Sequence, residues 1–156
     1  MSGYRIVPGT TIPGGQWDAY VRAHPHGSCF HLSAWRNVVA RSLGHRLHCA
    51  AALAPSGDLV GVLPLAETKS ALFGHSFVSL PGAVEAGVLA SDDQASIQLV
   101  EHARSCTHSA SAQHLELRHR VATARDWPRN DQLYFGFRRA LADDPESILL
   151  TIPRKQ

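Results

Sequence analysis

Lysine is almost missing from this sequence of 156 residues: only Lys69 and Lys155 occur. Arginine carries the rest of the positive charge, and the formal net charge is only +2. A balance this close to neutral excludes the strongly basic footprint of a nucleic-acid or acidic-membrane binder. Cysteine is scarce too. Cys29, Cys49 and Cys106 are odd in number, far apart and never in a CxxC pair, so a disulfide framework is excluded and free buried thiols are expected. No uninterrupted apolar run approaches the ~20 residues that cross a bilayer. The segment Met1–Gly15 lacks the charged-then-apolar order of a signal peptide. No GxGxxG or Walker-type phosphate loop occurs, which removes the motif support for nucleotide hydrolysis. These absences point to a cytoplasmic protein.

What is present is ordinary globular material, with 44% hydrophobic and 18% charged residues. The length suits one domain with a sizeable core. Tyr4–Val7 reads as a first strand, followed by a loop rich in proline and glycine. Trp17, Tyr20 and Val21 fall at helical spacing, and His24-Pro25 ends that helix. Ser33 is placed to cap a second helix carrying Trp35, Val38, Val39 and Leu43, with Gly44 as its stop. His48–Leu53 and Leu59–Leu65, joined by the turn Pro55–Asp58, predict an antiparallel hairpin in which Pro64 marks an end, an edge or a bulge. Ser76–Leu80 is a third strand. Ser91 and Gln94 predict a capping box for a helix striped by Ala95, Leu99, Ala103 and Cys106. His114–His119 alternates as a half-exposed strand, and Leu133–Leu141 is a further strand candidate. Asp144-Pro145-Glu146 opens a last helix containing Ile148 and Leu149. The order predicts an α/β fold with a mixed, largely antiparallel sheet flanked by helices. Trp17, Trp35, Val62, Leu63, Leu99 and Leu117 are its expected core.

Ten histidines are the unusual feature of the composition. His24, His26, Cys29 and His31 are all of ligand type, yet they crowd into one short segment around Pro25 and Gly27. Structural zinc sites instead join two ligand pairs across a longer loop. No metal is therefore expected, a small zinc module being the least favoured reading. The better binding candidates are cations near strand ends, which suit phosphate or carboxylate: Lys69, Arg118, Arg154 and Lys155. Glu116 shares a strand face with Arg118, as an ion pair or as part of a cleft.

Several segments, in order, resemble one family. They are Trp17-Asp18-Ala19-Tyr20-Val21, Phe30-His31 with Trp35, Gly44-His45, Val60-Gly61-Val62-Leu63-Pro64-Leu65, Lys69-Ser70, Leu72-Phe73-Gly74, Ser79-Leu80-Pro81, His114-Leu115-Glu116-Leu117-Arg118, Asp126-Trp127-Pro128 and Ile152-Pro153-Arg154-Lys155-Gln156. Together they are similar to the N-terminal half of FemAB-like proteins, above all those accompanying exosortase/PEP-CTERM exopolysaccharide systems. The resemblance implies a single GNAT-like domain over residues 1–156, the first of two in the family, cut at its C-terminal end. It implies acyl or aminoacyl transfer to a cell-envelope or exopolysaccharide amine, and a donor such as acyl-CoA or aminoacyl-tRNA with no tightly bound cofactor. The partner it implies is a missing C-terminal half or a second copy in a homodimer, and the chain alone is expected to be inactive. An interaction domain without catalysis is the competing expectation. The sequence departs from the family after Pro81. An aromatic residue is absent from Gly82–Val88, and Ala86 stands where one member of a glycine pair is usual, which puts ligand binding at that loop in question.

Overall fold

A computed structural model describes residues 3–72, 74–121, 127–130, 137 and 140–152. The chain forms two compact units, Met1–Arg125 and Asp126–Gln156. In the first, Arg5–Pro8 (β1) leads through a short 3₁₀ turn into the helix Gly14–Ala23 (α1), and a second 3₁₀ turn precedes Ser33–Ser42 (α2). Six strands follow: Arg46–Leu47 (β2), Ala50–Leu53 (β3), Leu59–Leu63 (β4), Ala66–Ser70 (β5), Gly74–Val78 (β6) and Leu89–Ala90 (β7). The long helix Asp93–Ser109 (α3) then returns the chain to His114–Glu116 (β8).

The strands make two four-stranded sheets, ordered β1-β3-β4-β7 and β2-β5-β6-β8. Every described pairing is antiparallel except β6–β8, which is parallel and uses α3 as its crossover. One hairpin runs through both sheets. Ala51 pairs with Val62 in the first and Leu47 with Ala66 in the second. Pro64 sits buried at the junction, where it has no N–H to give the ladder. His48 N–H donates to Leu65 O at 2.7 Å and carries the pairing across the break.

The first sheet is covered on both faces. Trp17 and Val21 of α1 pack with Val7, Ile12, Cys49, Ala51, Leu53, Val62 and Leu89. The opposite face receives Leu99 of α3 over Gly61, where a Cβ would come within 2.9 Å of Leu99 Cδ1. The expected stripe Ala95, Leu99 and Ala103 is buried, with Cys106 partly so. A second cluster joins Val39 of α2 to Ala66, Leu80, Ala83 and Ala86. Of the six expected core residues, Trp17, Val62, Leu63 and Leu99 are fully enclosed, whereas Trp35 and Leu117 are half-buried.

The caps depart from expectation. Ser33 is the first residue of α2 rather than its cap. Its N–H and hydroxyl donate to Asp18 Oδ1 and Oδ2, at 2.7 and 2.8 Å, so α1 supplies the acceptor for the start of α2. For α3 the cap is Asp92, which accepts from Ala95 N, and not Ser91. Asp18→Ala is accordingly expected to lower stability by about 1–2 kcal/mol, the usual cost of losing a side-chain cap. A urea melt checks it, and Asp18→Asn should recover part of the loss.

The second unit contains the helix Pro145–Leu150 (α4), whose cap Asp144 accepts from Glu146 and Ser147 N–H as the sequence predicts. Most of the expected strand Leu133–Leu141 lies outside the described residues. No helix among the described residues is long and apolar enough to cross a membrane.

Candidate functional site

The loop after β6 is shaped by a strained turn. Leu80, buried and non-glycine, sits at φ 54°, in the left-handed region, and Gly82 follows at φ 74°. Such backbone persists only where its surroundings over-determine it. Here the clamp is Arg118. Its backbone N–H donates to Ser79 Oγ and its guanidinium to Ala83 O, both at 2.7 Å. Its carbonyl accepts from Ala86 and Gly87 N–H at 3.1 and 2.8 Å. Glu116, on the surface, holds Arg118 Nε at 2.7 Å. The structure therefore brings Glu116 and Arg118 together as an ion pair that anchors the 82–88 loop. Ala86 is fully buried in the second apolar cluster, so its methyl packs the core beneath the loop.

Two histidines meet at Gly87. His31 is buried, and its Nε2–H donates to Gly87 O at 3.1 Å. Its Nδ1 accepts from Ser28 N–H at 3.3 Å, while the Ser28 hydroxyl donates to Glu85 O at 2.8 Å. Burial pulls the His31 imidazolium pKa down to about 4, so the ring is neutral at pH 7. His119 lies over the Cα of Gly87: a Cβ there would stand 2.6–2.7 Å from the His119 ring. Burial lowers the pKa of His119 as well, opposed by the Leu117 backbone. Around this point His26, His31, Gly87–Leu89 and His119–Val121 line a small open cleft of about 40 Å³.

A second constellation lies on the other strands. Glu67 on β5 is buried, and its Oε1 accepts from Lys69 Nζ and His75 Nε2, each at 2.8 Å. Its Oε2 accepts from His48 Nε2 at 2.9 Å. The Lys69 hydrogen bond, helped by the two imidazoles and opposed by burial, holds the Glu67 carboxyl pKa at about 2. Phe77 packs edge-on to the His48 ring. The candidate cation Lys69 is thus committed to a carboxylate of its own strand. Arg154 and Lys155 lie outside the described residues.

Residue typing alone missed Glu67, His75 and His119. The one local signal was Glu67-Thr68-Lys69, which puts opposite charges on one face of an alternating strand. The crowded histidines of the 24–31 segment serve the backbone, with His24 Nε2 on Ala90 O at 3.1 Å and His31 on Gly87. Among the described residues no group of three His, Cys, Asp or Glu side chains is arranged to hold a metal ion. The three cysteines are free, but only Cys49 is fully buried, and Cys29 is exposed against expectation.

No family model and no curated protein matches this chain. Among solved structures, one titled "Crystal structure of FemX" is similar, with a TM-score of 0.53 and 20% identity. The match covers 69% of this chain and 25% of that one. The chain thus accounts for about a quarter of the length of the solved structure it matches. At this identity the likeness is one of fold: α/β, with a mixed sheet and flanking helices.

Proposed function

We propose that this domain is the first of two GNAT-like halves of a FemAB-like acyl- or aminoacyltransferase, of the kind that accompanies exosortase/PEP-CTERM systems. Its acceptor is an amine of the cell envelope or of an exopolysaccharide. One observation supports the reading above the others: a fold like that of FemX is built on the ordered segments that resemble FemAB-like proteins. The reaction it implies is attack of the amine on the donor's acyl carbonyl, and alignment of two reactants is worth ~7–11 kcal/mol. A domain matching a quarter of a FemX chain provides part of such a site, so it is inactive by itself.

The test is transfer of an acyl group from acyl-CoA, or of an amino acid from aminoacyl-tRNA, to an amine acceptor. This chain alone is expected to give none, and mixing it with a chain carrying the second half is expected to restore turnover. Robust transfer by this chain alone would refute the half-site reading. The competing reading, a non-catalytic interaction domain, draws support from Lys69 and Arg118, each of which is paired with a neighbouring carboxylate. It predicts that adding the second half gives a complex without turnover.

A further inference from the structure

Helix α3 carries two side chains whose polar atoms meet each other. His102 and Cys106 lie four residues apart, and His102 Nε2 stands 3.5 Å from Cys106 Sγ. Among the described residues, each is the other's only side-chain hydrogen-bond partner. Both residues are only partly buried, so solvent reaches them.

We propose that His102 and Cys106 form a clamp for one divalent cation of the zinc class, bound through Nε2 and Sγ with water completing its shell. The first argument is spacing. Zinc lies about 2.0–2.1 Å from an imidazole nitrogen and about 2.3 Å from a thiolate sulfur, so the edge joining the two in a tetrahedral site is about 3.5–3.6 Å. The pair already stands at 3.5 Å, and a cation can sit against both atoms with their separation unchanged. The second argument is rigidity. Leu99 and Ala103 are fully buried and hold this stretch of α3 in place. Residues four apart on a helix share a face, the spacing by which paired histidines on one helix hold zinc. The third is donor chemistry. One nitrogen and one sulfur suit Zn²⁺ or Co²⁺, whereas Mg²⁺ and Ca²⁺ require oxygen. On binding, the Sγ–H bond breaks, the sulfur–metal bond forms and the proton leaves to solvent. The histidines of the 24–31 segment lack this freedom, because His24 and His31 are spent on the Ala90 and Gly87 carbonyls. His48 is near enough for its charge to be felt at His102, but Glu67 holds it, so the clamp has two protein ligands.

The proposal does not rest on the transfer reaction, so an absence of turnover leaves it standing. It is tested on the whole chain, with its thiols reduced, by adding Co²⁺, whose bond to a thiolate gives a charge-transfer band in the near ultraviolet. One equivalent of Co²⁺ should develop the band, Zn²⁺ should displace it and Mg²⁺ should not. Cys106→Ser should abolish the band, with far-ultraviolet circular dichroism showing the helices kept, while Cys29→Ser should leave it unchanged. His102→Ala should weaken binding by at least about tenfold, the loss that even a supporting residue of a metal site causes. Zn²⁺ should raise the urea midpoint of the unmodified chain and not that of Cys106→Ser. A band that survives Cys106→Ser, or one lost with Cys29→Ser, would overturn the proposal, as would undiminished affinity in His102→Ala. So would the absence of any band in the unmodified chain, which needs no variant to detect and would leave the contact as a thiol–imidazole hydrogen bond alone.

Discussion

Trp17→Ala is expected to remove most of the stability of the first unit. The indole is fully buried against Val7, Ile12, Val21 and Ala51, between α1 and the first sheet. Truncating an aromatic ring of this size to a methyl costs about 3–5 kcal/mol, because the cavity left behind collapses only partly. Total stability of a domain is only about 5–15 kcal/mol. Two further losses add to the cavity. Trp17 Nε1–H donates to His31 O at 2.7 Å, and the Arg36 guanidinium rests 3.9 Å above the ring. Without the indole, the carbonyl loses its donor and a buried cation loses the surface it stacks on. The same change reaches the candidate site, since His31 holds Gly87 through Nε2. Urea denaturation is the measurement. Trp17→Phe, which keeps an aromatic ring but not the N–H, should fall between wild type and alanine. A loss below about 1 kcal/mol for Trp17→Ala would mean that the α1 core is not the keystone described here.

Glu67→Gln is the second large effect, and its size should depend on pH. At neutral pH the ionised carboxylate receives donors from the link between β2 and β3, from β5 and from β6 at once, through His48, Lys69 and His75. Gln keeps the volume but replaces one acceptor oxygen with an N–H₂ that faces other donors. Breaking a buried, paired charge in this way costs about 3 kcal/mol. The Glu67 pKa is lowered from 4.5 to about 2 in the folded chain. The unfolded chain therefore takes up the proton first as pH falls. The stabilisation is fully present above the unfolded value and is lost as pH drops through 4.5 toward 2. Denaturant melts across this range should show the gap between wild type and Glu67→Gln closing on acidification. A gap that stays constant from neutral pH to acid would place the stabilisation in packing instead of charge. Lys69→Met should cost less than Glu67→Gln, because the Lys69 side chain is 66% exposed and its charge is solvated either way.

The sequence by itself determined the features whose causes act within a few residues. The helical stripe Ala95, Leu99 and Ala103, the Asp144 cap, the turn at Pro55–Asp58, the stop at Gly44 with its φ of 68° and the break at Pro64 all follow from periodicity, side-chain capping and backbone freedom. Features that needed a distant partner were decided by the tertiary structure. Strand β5 is too polar to announce itself, and it forms because β2 and β6 pair with it on either side. Asp18 rather than Ser33 satisfies the start of α2, because packing brings α1 within reach. Arg118 carried the charge expected of a ligand-binding residue, but folding commits its guanidinium to Ala83 O and its backbone N–H to Ser79 Oγ, both far back along the chain. His119 has no local signature at all. Its unpartnered nitrogen exists only because a loop more than thirty residues earlier in the chain presents Gly87, with no side chain to fill the space its ring occupies. Hydrogen bonds and charges act over a few ångströms of space, whatever their separation along the chain, so pairings of this kind become legible only once the chain has folded.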